Sequence, residues 1–153
     1  MRLFSIATLV LLGAASTAAA APPSNACALL TRDEAAAVVG ATVGEGVPRA
    51  GQSMGQGIDV AHCTYKAAGM KDLSVTLWHF SPQASQSLEI YRGLCKQKEQ
   101  AAGLGDLACW YNAQHGELQV LQGSTLLTFE LSGRHGAGDA LLTAAKQALG
   151  RVK

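Results

Sequence analysis

Gly103 to Leu131 reads GLGDLACWYNAQHGELQVLQGSTLLTFEL. Period-two alternation puts Leu107, Cys109, Tyr111 and Ala113 on one side of a first strand, Leu118 and Val120 on a second, and Leu127, Phe129 and Leu131 on a third. The connections, Asn112 to Glu117 and Gln122 to Thr125, are short and turn-like. The stretch therefore reads as an antiparallel three-stranded meander with one buried face. The rest of the chain supplies further strands and cover, which makes the fold class α+β: an antiparallel sheet covered by two or three helices.

Working outward on the N-terminal side, Ser81 and Pro82 open a helix, with serine as cap and proline at the first helical position. Ala84, Leu88, Tyr91, Cys95 and Ala102 recur at helical spacing, and Gly103 ends the segment. Asp106, after the glycines of GLGD, is placed to accept backbone hydrogen bonds in a tight turn. This run enters a strand and opens no helix, which is the reverse of a nucleotide-binding fingerprint. Beyond the meander, Gly136 and Gly138 break the chain, and Asp139 is the expected cap of a last helix carrying Leu141, Leu142, Ala145, Ala148 and Leu149.

Further upstream, Ile58 to Lys66 and Leu73 to Phe80 are strand-like. Leu73, Val75 and Leu77 face one way, and Trp78 and Phe80 the other, so a helix or a partner is expected over the second face there. Thr42 to Val47 reads as a short edge strand, and the glycine-rich Arg49 to Gly57 as a mobile loop. Thr31, with Glu34 three residues on, is a capping box, and Gly40 closes that helix.

Residues 1–20 have the pattern of a secretory signal: Met1 and Arg2, an apolar run from Leu3 to Leu12, then small residues up to a cleavage point after Ala20. The apolar run is too short to span a bilayer. Residues 21–153 form one secreted domain, since that length supports one core and not two. Pro22 to Asn25 separate Cys27 from the apolar run, so no lipid anchor is expected there. Without Arg2 the chain carries 11 basic and 11 acidic residues. No field of one sign remains to attract nucleic acid.

All four cysteines, Cys27, Cys63, Cys95 and Cys109, follow the signal, and an even number in an exported chain points to two disulfides. Three pairings are open. Cys63-x-Tyr65 followed by Leu73-x-Val75 parallels Cys109-x-Tyr111 followed by Leu118-x-Val120. An internal helix-strand-strand duplication is one reading of that parallel, and chance from strand composition is the other. The duplication selects Cys27 with Cys63 and Cys95 with Cys109.

No chemistry assembles in this sequence. Gly51-Gln52-Ser53-Met54-Gly55 has the spacing of a nucleophile elbow but lacks the strand before it and the helix after it. His62 and His79 are expected on the sheet face opposite Tyr65, where a pair across adjacent strands with Met54 or Met70 keeps a soft metal open. His115 falls in a turn and His135 in a polar linker. No spacing is a ligand motif, so neither a metal nor a cofactor is implied.

The exported start, Ala-Cys-x-Leu-Leu-Thr-x-x-Glu-Ala-Ala at Ala26 to Ala36, Cys63-x-Tyr65, and Gly-Leu-Gly-Asp-x-Ala at Gly103 to Ala108 together resemble small bacterial envelope proteins of uncharacterised function, many of them lipoproteins. The resemblance implies an envelope location and a helix-covered antiparallel sheet, and it supplies no reaction. The expectation is a small non-enzymatic periplasmic or extracellular binding protein for an envelope protein or small ligand. Trp110, Trp78, His79 and His62 are its candidate contact residues, and Trp110 is the first choice if no helix covers it. The alternatives are a secreted hydrolase built on Ser53 with a histidine, and a structural homodimer pairing through the Thr42 to Val47 edge.

Overall fold

The meander forms as its alternation requires: β5 (Leu107–Trp110), β6 (Glu117–Gln122) and β7 (Thr125–Leu131) pair antiparallel in chain order. The computed structural model describes residues 25–69, 71–133 and 137–152. The signal segment, Met70 and His135 lie outside these. β1 (Val47–Ser53), β2 (Ile58–Lys66) and β3 (Asp72–Phe80) make a second meander, and β3 pairs antiparallel with β7. With β4 (Glu99–Gln100) at the far edge, the result is a seven-stranded antiparallel sheet of order β1-β2-β3-β7-β6-β5-β4.

The sheet carries a packed core on each face, where one buried face was expected for the meander. The first face packs Tyr65, Leu73, Val75, Leu118, Val120, Leu127 and Phe129 under α1 (Arg32–Val39), α3 (Gly138–Leu149) and a 3₁₀ turn at Ala26–Ala28. The second face holds Phe80, Cys109, Leu121 and Leu126 under α2 (Ser85–Lys96). The doublets Val120-Leu121 and Leu126-Leu127 interrupt the alternation, and each supplies one side chain to each face. Leu121 and Leu126 are direct cross-strand partners. Trp78 and Phe80, expected to need cover on that face, receive it from Tyr91 of α2, with ring centroids 6.0 and 5.7 Å apart.

Local signals set the helix ends. Thr31 caps α1 through the Glu34 backbone N–H, the Glu34 carboxylate accepts from the Thr31 N–H at 2.7 Å, and Gly40 closes the helix in a left-handed conformation. α2 stops at Lys96, well short of Gly103. Cys95 is bonded to Cys109, and Gln100 pairs with Cys109 in the sheet, so the chain must reverse between residues 95 and 100. α3 starts without a side-chain cap: Asp139 lies in its first turn. Asp106 does accept a backbone bond, from Gly123 at 2.7 Å.

The disulfides are Cys27–Cys63 and Cys95–Cys109. The first fastens the 3₁₀ turn to the first face, and the second fastens α2 to the opposite face. The parallel between the two Cys-x-Tyr units stops at register. Cys63 pairs with Val75, on the face of the Leu-x-Val residues, whereas Cys109 pairs with Gln119, on the face away from Leu118 and Val120.

The glycine-rich segment is the main correction. Thr42 to Gly46 contributes only a single bridge, Val43 to Ala67, and the edge strand lies in the expected loop, at Val47–Ser53. β1 tolerates its glycine because a side chain at Gly51 would press on the Val60 carbonyl, and a bulge between Arg49 and Gln52 restores the pairing.

Candidate functional site

On the second face the register lines residues up in rows across the strands. One row, Gln52, Val60, Trp78, Leu126, Leu121 and Leu107, is largely apolar, and its part from Trp78 to Leu107 lies under α2. The next is Arg49, His62, Thr76, Thr128, Gln119 and Cys109. The third is Val47, Thr64, Ser74, Glu130 and Glu117. Of these three rows only Trp78, Leu126, Leu121, Leu107 and Cys109 pack in the α2 core, so the other side chains of the second and third rows form an open, hydroxyl-rich half-face along the flank of α2.

His62 sits in the middle of this half-face. Its Nδ1 is 2.9 Å from the Thr76 hydroxyl and its Nε2 3.0 Å from that of Thr64. Burial pushes its pKa down and Arg49 adds to this, while Glu130 pulls the other way. The ring is therefore neutral at pH 7, with one nitrogen donating to a threonine and the other accepting. Glu117 and Glu130 stand directly opposite each other. Burial pushes the Glu117 pKa up and the Glu130 charge adds to this, while a hydrogen bond from Gln119 at 3.2 Å and the Lys98 charge pull it down.

Two clefts open on this face. One of ≈ 200 Å³ is lined by Arg49, Gln52, Met54, Val60, His62, Thr76 and Trp78. The other, ≈ 240 Å³, lies at the C-terminal end of α2 between Tyr91, Leu94, Lys98, Tyr111, Glu117 and Gln119.

No protein-family model, curated protein or solved structure gives a significant match to this chain.

Of the four residues singled out in the sequence, His62 and Trp78 share the smaller cleft. Trp110 and His79 do not join them. Trp110 is 6% exposed on the first face, with the His115 ring stacked on it at 4.5 Å, so the condition that made it a contact residue is not met. His79 shares the first face with Leu77, because successive side chains of β3 alternate. It is paired with Asp59 while His62 is paired with Thr76, so the two histidines cannot converge on a metal. Among the described residues no three His, Cys, Asp or Glu side chains cluster to hold one.

Ser53 is paired with Asp59, which is paired in turn with His79. The acid stands between the serine and the histidine, in the place where a hydrolytic triad needs the base. Ser53 has no side-chain hydrogen bond to a histidine among the described residues. His115 instead meets Glu99 at 3.0 Å.

Thr64, Ser74, Thr76 and Thr128 do not stand out in the sequence, and Glu117 and Glu130, which read there as scattered at turns and strand edges, are brought opposite each other by the register. Their signal is polar residues at every second position of four strands, and only the register brings them together.

Proposed function

We propose that the protein is an exported, non-enzymatic binding protein whose ligand, a segment of an envelope polypeptide, rests on the open half-face beside α2. The observation that carries this reading is the partition of one sheet face into an apolar row under a helix and two polar rows left open. A solvated face needs no histidine held in place by two threonines, and no pair of opposed carboxylates, which costs stability. Oriented hydroxyl, imidazole and amide groups suit the backbone and polar side chains of an extended chain, and the flank of α2 supplies an apolar wall. Two disulfides fit an oxidising compartment, and among the described residues no helix is long and apolar enough to cross a membrane. Pairing with a second copy through β1 is the weaker reading, because Pro48 and the bulge blunt that edge.

Amide-resonance mapping of the oxidised protein against a pool of defined hexapeptides tests the proposal. Perturbations centred on Thr64, Thr76, Thr128 and Gln119 are expected; shifts centred on the cleft of ≈ 410 Å³ that Asp33, Ala37, Ala140, Thr143 and Gln147 line between α1 and α3, or none, overturn it. Export is tested by mass: protein recovered without reductant from an exporting host should be about 4 Da lighter than its reduced form, four hydrogens for two bridges. An unshifted mass removes that support.

A further inference from the structure

We propose that the cleft at the C-terminal end of α2 binds the side-chain ammonium of a lysine in the partner polypeptide, and that Lys98 occupies it in the free protein. This rests on the open-face reading, since the cleft is the β6 end of that face.

Lys98 Nζ lies 4.9 Å from the centroid of the Tyr111 ring, and both residues line the cleft. The chain's own ammonium thus already sits over an aromatic face, which attracts cations through the ring quadrupole. Glu117 lines the floor, with Glu130 directly opposite it, and neither carboxylate has an ion pair within 4.0 Å among the described residues. The last turn of α2, a helix of 12 residues, presents Leu94 and Cys95 to the same space, so its negative dipole end adds to the potential. A π face, two carboxylates without a close ion pair and a helix C-terminus all favour a cation. Tyr111 and Leu94, both 47% exposed, offer apolar contact to the methylene stem of a lysine.

Lys98 is anchored just beyond α2 and its stem is flexible, so it can swing away when a second ammonium enters. Its presence lowers affinity by competition, and its removal should raise it.

The test uses the full oxidised protein with two probes, N-acetyl-lysine methylamide and its uncharged analogue N-acetyl-norleucine methylamide, followed by resonance shifts at Tyr111, Glu117 and Gln119. The lysine probe should bind in this cleft and the norleucine probe should not. Lys98→Ala should tighten lysine binding roughly two- to fivefold, and Tyr111→Leu or Glu117→Gln should weaken it by a similar factor. Binding should weaken as salt rises. Lys98 and Tyr111 are exposed and Glu117 is half-buried, so the melting temperature of each variant serves as a check that the fold is intact. Equal binding of the two probes, or no gain in Lys98→Ala, overturns the proposal. If hexapeptides still perturb Thr64, Thr76 and Thr128 while the lysine probe leaves the cleft unmoved, the ammonium site fails and the open-face reading stands. If the lysine probe binds the cleft while the hexapeptides leave the half-face silent, the open-face reading fails instead.

Discussion

Glu34 holds two ends of the first layer together. Its carboxylate accepts from the Thr31 backbone at 2.7 Å and receives both guanidinium nitrogens of Arg151, at 2.6 and 2.7 Å, while Arg151 also donates to the Leu29 carbonyl. The Arg151 bonds hold the Glu34 pKa down to about 2 from 4.5. A carboxylate depressed in this way adds stability that is complete above about pH 4.5 and is lost as pH falls through the folded value. Full conversion of the shift gives about 3 kcal/mol, and screening around the partly exposed guanidinium reduces the expected contribution to roughly 1–2 kcal/mol. Urea unfolding between pH 5 and 2 should show that loss in the wild type, with a shallower slope in Glu34→Gln. The capping half of this arrangement is legible in the sequence, because Thr31, Glu34 and Gly40 act within one helix. The Arg151 half is not, since its partner is 117 residues away. Trp110 illustrates the same limit: alternation places it opposite Cys109, but only the packing of α3 and the His115 ring decides that it is core. Trp110→Ala should therefore cost about 3–5 kcal/mol in equilibrium unfolding, a loss large enough to unfold a marginal domain.

Among the elements, the two disulfides divide the labour by face, and their loops differ in length. Cys27 and Cys63 are 36 residues apart, and Cys95 and Cys109 are 14 apart. Chain-entropy reasoning gives about 4 kcal/mol for the longer loop and about 3 for the shorter. Replacing both members of the first pair by alanine should thus lower the stability measured in urea about 1 kcal/mol more than replacing the second pair. The reverse order would mean that fixing α2 on its face outweighs loop closure. The parallel between the two Cys-x-Tyr units selects this pairing although their registers differ, because in each unit the strand cysteine takes the preceding cysteine of a helix or 3₁₀ turn. β1 was not legible. Its proline and glycines read as loop, and it becomes a strand only because β2 offers an edge and a bulge absorbs the misfit, neither of which a local pattern contains.

For the whole molecule, the first face is covered by two helices and a 3₁₀ turn, while a single 12-residue helix cannot span a seven-stranded sheet on the second. α2 covers the row that is apolar, and the exposed remainder is polar by the same alternation that buries its neighbours. The half-face follows from counting helices against strands, and its composition then shows a cost. Glu117 and Glu130 are directly opposed on adjacent strands, where like charges destabilise and opposite charges stabilise by roughly 0.2–1 kcal/mol. Glu130→Lys exchanges repulsion for attraction. It should raise the melting temperature by roughly 2–4 °C, given the usual conversion for a domain of this size. If the opposed carboxylates serve cation recognition, the same substitution should weaken binding of the lysine probe while Lys98→Ala in that background no longer restores it. A stabilised variant that binds as well as the wild type would make the pair an unselected feature of the surface. One that gains stability and loses binding would mark it as stability given up for function.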